Sequence, residues 1–370
     1  MTASAAAGAI ARGWSKVRPH DSLDLLPITD GGDGFGEAIG GLLRAKVILT
    51  RTVDAAHRPC VAKWWWEPKT KTAIIESASA IGLAMLPPKR FHPFELDTFG
   101  LGRLIQAAVG KGTSRCLIGI GGSATNDGGF GLARALGWQF IDQRGCQIER
   151  WTDLLNLQRI RTPKRVRRRF DELLVAVDVQ NPLLGKRGAT RVYGPQKGVR
   201  PNDFQLAEGC LRRLAFVAKT ELGLDFAKVP GSGAAGGLGF GLATFARGRL
   251  EPGIDLFAKL SKLTEHLRQA DLAITGEGCI DHSTLMGKGV GQIGKACRRR
   301  KIPCIAVAGI AHPAANLRGA FDEVHALLDI TSKKEAMTRA GHWLERLAQR
   351  IAAASFALDE ASFLTDVPGR

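Results

Sequence analysis

Short apolar runs alternate with amphipathic segments along nearly the whole chain. The strand-like runs are LDLLPI (23–28), KVILTRTV (46–53), CVAKWWW (60–66), TAIIESA (72–78), CLIGI (116–120), LLVAVDV (173–179), DLAITG (271–276), CIAVAG (304–309) and VHALLDI (324–330). Each is rich in aliphatic or β-branched residues and bounded by turn formers, the mark of a strand. Helical spacing predicts helices over 2–16, 34–44, 98–111, 129–137, 204–221, 255–269, 289–300 and 334–355. Thr2 or Ser4 is placed to cap the first of them. Strands and helices in such alternation define an α/β protein. The triple Trp64-Trp65-Trp66 reads as a packed or partly covered sheet face, and no internal repeat is visible.

Length and charge refine this picture. A chain of 370 residues has room for about two domains, each with its own core. The formal net charge of +17 bears on partners rather than on fold. Much of it is concentrated in RTPKRVRRRF (161–170) and in RRRK (298–301). Basic clusters attract nucleic-acid phosphates, but with 6% aromatic residues and one Tyr the chain lacks stacking platforms. Nucleic acid is therefore an unfavoured partner, the 161–169 cluster reads as an exposed connection, and a basic surface suits small anionic substrates. Seven Cys, irregularly spaced and without a C-x-x-C pair, suggest reduced thiols in a cytoplasmic protein. No apolar run approaches the ~20 residues that span a bilayer, so no membrane partner is expected.

The candidate chemistry lies in five glycine-rich segments. GIGGSATNDGG (119–129) stands between a strand and a helix and holds Gly121, Gly122, Ser123, Thr125, Asn126 and Asp127. ITDGGDGFGEAIG (28–40) carries Asp30, Gly31, Gly32 and Asp33 in the same setting, and GSGAAGGLGFGLATF (231–245) carries Gly233, Gly236 and Gly237. DVQNPLLGKRGATRVYGPQKG (178–198) adds Asp178 and Lys197; TGEGCIDHSTLMGKG (275–289) adds Glu277, Asp281 and Lys288. Loops of this kind sit at the carboxyl ends of strands, where open α/β sheets bind ligands. Glycine N–H groups and helix N-termini favour anions. Asp127, Glu277 and Asp281 suit Mg²⁺, which takes one or two carboxylates together with phosphate oxygens. Lys288 or Lys197 would neutralise developing charge. Asp30 and Asp33 either cap the following helix or face a ligand. GSGAAG is a weak dinucleotide fingerprint, since no good strand precedes it, and no Walker-type loop is present.

Taken together and in this order, DGGDG (30–34), GIGGSATNDGGFG (119–131), NPLLGKRGATRVYGPQKG (181–198), GSGAAGGLGFGL (231–242) and TGEGCID (275–281) resemble the bacterial two-domain glycerate kinase family. The resemblance implies a flavodoxin-like, or Rossmann-like, domain built from both chain ends (1–56 and 285–370) with a second α/β domain inserted (57–284). It implies ATP-dependent phosphorylation of D-glycerate, more often to 2- than to 3-phosphoglycerate, with ATP and Mg²⁺ as cofactors. On that basis Glu277 and Asp281 would hold Mg²⁺ or accept the hydroxyl proton, and Lys288 and Lys197 would neutralise phosphate charge. Asp30, Asp33 and Asp127 would orient substrate or metal waters. The loops 119–129 and 231–237 would cradle phosphate or carboxylate, with Asp178 beside them. The alternatives are a catalytically impaired ligand-binding relative and a nucleic-acid binder using 161–169.

Two departures from the family pattern stand out. Cys279 occupies a position that is commonly Arg, and the chain begins just after the usual first strand and its P-D-x-F-K-G-x-L motif. We expect that motif to be encoded in frame upstream of Met1. Sequencing the upstream region checks this, and a stop codon immediately before Met1 would contradict it.

Overall fold

The structure, a computed structural model, describes the chain apart from 164–169, 282–283, 285–288, 313–318 and 366–370, and describes only the backbone over 355–365. The chain forms two compact units, Thr29–Phe257 and a discontinuous one made of Met1–Ile28 with Ala258–Arg370. The sequence reading set the boundaries elsewhere, at 56/57 and 284/285, and strand pairing explains the difference. β1 (Lys46–Val53) pairs along its full length with β2 (Pro59–Glu67), which draws 29–56 into the middle unit. β9 (Ala273–Ile280) pairs with β10 (Cys304–Ala311), which places 258–284 in the discontinuous unit.

In the middle unit, β1, β2, β3 (Thr72–Glu76), β4 (Arg115–Gly119), β7 (Glu172–Val177) and β8 (Arg249–Pro252) form one sheet in that order. β1–β2 and β2–β3 are antiparallel; β3–β4, β4–β7 and β7–β8 are parallel. The parallel centre is covered on both faces, so Ala73–Ile75, Cys116–Ile118 and Leu173–Val177 are buried without alternation. A two-stranded ribbon of β5 (Gln139–Asp142) and β6 (Leu157–Arg161) lies apart from this sheet. Trp64 and Trp65 are buried, and the Trp65 ring lies on Gly36 and Gly40 of the helix Phe35–Leu42. A Cβ at Gly36 would fall 1.9 Å from that ring.

The discontinuous unit has an all-parallel sheet in the order β11 (Glu323–Ala326), β10, β9. Alternate residues of β10 serve opposite faces. Cys304, Ala306 and Ala308 pack with Ile293 and Cys297 of the helix Gly289–Arg300. Ile305 and Val307 pack with Ala9 and Trp14 of the helix Ala3–Ser15 and with Leu344, Leu347 and Ile351 near the C-terminus. Thr2 caps the first helix, its hydroxyl accepting from the Ala5 N–H at 3.2 Å. Among the described residues no helix is long and apolar enough to cross a membrane.

Several predicted elements differ. Residues 23–28 form no strand: among the described residues no strand pairs with them, and Leu23 and Leu25 are exposed. The helix expected over 255–269 is two helices, Gly253–Leu260 and Leu263–Gln269, because Lys262 takes a left-handed φ of 52°. The one expected over 334–355 divides into Lys333–Thr338 and Ala340–Thr365 at Arg339. The short strands β5, β6 and β8 carry too few apolar residues to signal themselves.

Many glycines are fixed by backbone contact rather than by turn geometry. Gly241, in the helix Ala234–Ala246, sits so close to Gly129 that an added Cβ would lie 2.5 Å from the Gly129 Cα. Gly241→Ala should therefore overpack this junction and cost about 1–3 kcal/mol, measured as a lowered urea midpoint with an unchanged m-value.

Candidate active site

Four of the five glycine-rich segments meet in the middle unit, at the carboxyl ends of β3, β4 and β7. The loop 119–129 leaves β4, and the Gly121 N–H donates to the Gly31 carbonyl at 3.0 Å. A Cβ at Gly121 would lie 2.5 Å from the Gly32 Cα, and one at Gly122 would lie 2.3 Å from an Asp33 carboxylate oxygen. The loops 30–34 and 119–123 are thus in direct contact. Farther along, Gly128 N–H donates to Gly236 O, and a Cβ at Gly236 would lie 1.9 Å from Thr125 O. The second contact is possible because Ala235, Gly236 and Gly237 run left-handed, with φ of 54°, 69° and 85°.

Asp127 organises the junction. It is fully buried, and its Oδ2 accepts from Thr98 N (3.0 Å), Thr98 Oγ1 (2.8 Å) and Gly131 N (2.9 Å), while Oδ1 accepts from Gly129 N (3.2 Å). Burial pushes its pKa up to about 6, with the Asp97 charge adding to the effect and the N–H donors opposing it. Both oxygens are engaged within the protein, so Asp127 fixes the loop and the start of the helix Phe130–Ala135 rather than facing a ligand. Asn126 is equally buried and donates to Thr190 Oγ1 at 3.0 Å. The Ser123 and Thr125 hydroxyls lie 2.9 Å apart. Lys197 is also buried and donates to Thr125 O at 2.8 Å; burial holds its pKa down at about 7, with Asp127 opposing the shift.

This corrects the expectation of bare glycine amides. The N–H groups of Gly31, Gly32, Gly121, Gly233 and Gly237 all donate within the protein, to Thr29 Oγ1, Asp30 Oδ1, Gly31 O, Asn181 O and Gly233 O respectively. These glycines build the loops. Among the described residues, the main-chain N–H groups of Asp33 and Gly122 have no acceptor in the protein, and both residues are exposed. Asp33 does not cap the helix Phe35–Leu42, and neither does Asp30.

That capping falls to Glu76, which sequence reasoning missed. At the end of β3 it accepts from Gly34 N at 3.1 Å and Gly36 N at 3.0 Å, one on each oxygen, clamping the 30–34 loop to the sheet. A carboxylate closing the otherwise apolar run TAII was the available signal. Asn181 was missed as well. It accepts from Tyr193 Oη at 2.6 Å, donates to Arg187 O at 2.8 Å and offers its carbonyl to Gly233 N at 2.9 Å, joining the 178–198 and 231–237 segments. Burial pushes the Tyr193 phenol up to about 12, helped by the charge of the exposed Asp178.

A family model described as the glycerate kinase family matches residues 1–355. The chain belongs to that family. Relatives of this glycerate kinase-family chain include a glycerate kinase from Bacillus subtilis, 35% identical and covering 98% of this chain and 96% of its own. A glycerate 2-kinase from Escherichia coli is 35% identical over 84% of this chain and 82% of its own. A crystal structure from Salmonella typhimurium LT2 that carries a provisional glycerate kinase 2 name superposes with a TM-score of 0.82 at 33% identity, covering 97% and 96% of the two chains.

The remaining predicted residues of this family member lie in the discontinuous unit. Glu277 is on β9 and Asp281 directly follows it. Thr284 links them: its hydroxyl donates to Glu277 Oε1 at 2.7 Å and accepts from Asp281 N at 3.2 Å. Cys279, the departure from the family pattern, is exposed between them. Lys288, like His282 and most of the 161–169 basic cluster, lies outside the described residues.

The depressed Lys197 pKa makes stability depend on pH. Between its folded value near 7 and its unfolded value of 10.5 the unfolded chain binds the extra proton, so stability rises with pH across that window. Relative to Lys197→Met, the wild type should gain on the order of 1 kcal/mol per pH unit from pH 7 to 10. Urea denaturation of both proteins at several pH values measures this.

Proposed function

We propose that the protein phosphorylates D-glycerate, with ATP as donor and 2-phosphoglycerate as product. Membership of the family supports the substrate. The observation in the fold that supports the reading most directly is the meeting of the 30–34 and 119–123 loops at the carboxyl ends of parallel strands, with the N–H groups of the exposed Asp33 and Gly122 lacking an acceptor among the described residues. Unpaired main-chain N–H groups favour anions, and both substrates are anionic. Asp30 and Asp33 beside them are acceptors for the glycerate hydroxyls. Glu76, Asp127 and Asn181 act through the loops by holding them in shape.

In the discontinuous unit, Glu277 and Asp281 have the chemistry for Mg²⁺, which keeps several waters and takes only one or two protein carboxylates. Thr284 already fixes one Glu277 oxygen and the Asp281 backbone. A larger ligand set is not required, and among the described residues no group of three His, Cys, Asp or Glu is placed to hold a metal. Mg²⁺ bound there would neutralise charge on the transferring phosphoryl group. The same two carboxylates are the candidates to accept the hydroxyl proton as the new P–O bond forms. Lys288 completes the reading as a cation for phosphate charge.

Incubating the full chain with Mg-ATP and D-glycerate should release ADP and give 2-phosphoglycerate, read by a coupled assay and by ³¹P NMR. Glycerate-independent or absent ADP release would overturn the assignment. Asp281→Asn should lower kcat by about two orders of magnitude or more, and near-normal turnover would remove Asp281 from the machinery.

A further inference from the structure

We propose that the discontinuous unit carries a second, separate binding site for an organic anion with an apolar body, in a groove lined by Arg346 and Arg350. The groove has a volume of about 450 Å³, and its lining comes from the chain after the first helix (Val17), from Ile330 and from the helix Ala340–Thr365. Pockets that hold small molecules have this size and combine an apolar lining with a few polar groups. Here Val17, Ile330 and the Trp343 side chain supply the apolar surface, and Arg346, Gln349 and Arg350 supply the polar rim.

Charge selects the ligand. Arg346 and Arg350 stand one helical turn apart, so like charges face each other along one side of the helix. Neither guanidinium has an acidic partner or a hydrogen-bond acceptor among the described residues, and the Gln349 amide has none either. Among the described residues, the acidic groups adjoining the lining are committed elsewhere. Glu345 binds Arg12 and Lys16; Glu335 accepts from Trp343 Nε1 at 3.2 Å and lies 3.7 Å from Arg339. Asp21 is held by Trp14 and Arg18, and Asp329 accepts from Ala326 N. Two guanidinium forks without a partner among the described residues, beside an indole and aliphatic side chains, match a carboxylate or phosphate attached to a flat or aliphatic body.

None of these residues belongs to the proposed kinase machinery, so the test is independent of that reading. Isothermal titration of the full chain with 1-naphthoate and with 1-naphthyl phosphate distinguishes the two anionic head groups. 1-Naphthol and inorganic phosphate supply the body alone and the charge alone. One-site binding is expected for at least one naphthyl anion, at least tenfold tighter than for naphthol or phosphate. Its Kd should rise at least tenfold in the folded double variant Arg346→Gln/Arg350→Gln. An unchanged Kd in that variant, or naphthol binding as tightly as the anions, would overturn the proposal. So would the absence of binding by either anion.

Discussion

One buried carboxylate sets the geometry of the middle unit. Asp127 gathers three main-chain N–H groups and one hydroxyl from Thr98 and from the turn 129–131, which are far apart in sequence. Burying a charge is costly unless hydrogen bonds replace its hydration, and here four donors do so. Everything downstream inherits this arrangement. The turn at Gly128 and Gly129 can lie against Gly236 and Gly241 because Asp127 holds its backbone in place. The carbonyl of Thr125, in the same turn, fixes the buried Lys197 ammonium.

The glycines follow from that constraint. At first sight their number suggests a cradle of free amides, yet many are needed because two backbones pass within van der Waals contact and no side chain fits between them. Few of these amides are left without an acceptor. Among the described residues, the Asp33 and Gly122 N–H groups remain without an acceptor at one end of a parallel sheet, in loops held from behind by Glu76 and Asn181.

The alternation of strands and helices was legible because the parallel strands of both sheets are buried and therefore continuously apolar. Residues 23–28 had the same composition without a neighbouring strand, and composition cannot report a missing partner. The order of the motifs was also legible, and it pointed to the family that the comparisons show. What the motifs could not reveal is which of their polar groups look inward. Asp127 and Asp33 are both acids in glycine-rich turns, but one is enclosed by donors and the other is exposed, a difference to which Thr98 from another segment contributes two donors. Glu76 and Asn181 escaped notice for the complementary reason, since each stands alone in its own stretch and gains meaning only from the chain it touches.

The junction of the two chain ends has a consequence for biosynthesis. Gly13 of the helix Ala3–Ser15 lies against the Glu345 backbone, and Arg12 and Lys16 grip the same glutamate, so that helix is completed by the helix Ala340–Thr365, made long after it. The whole of 29–257 emerges from the ribosome between them and can reach its own fold first. Until the helix Ala340–Thr365 is made, the apolar face of the helix Ala3–Ser15, with Ala9 and Trp14, lacks this cover, and a nascent chain stalled before that point would expose it to chaperones or to aggregation.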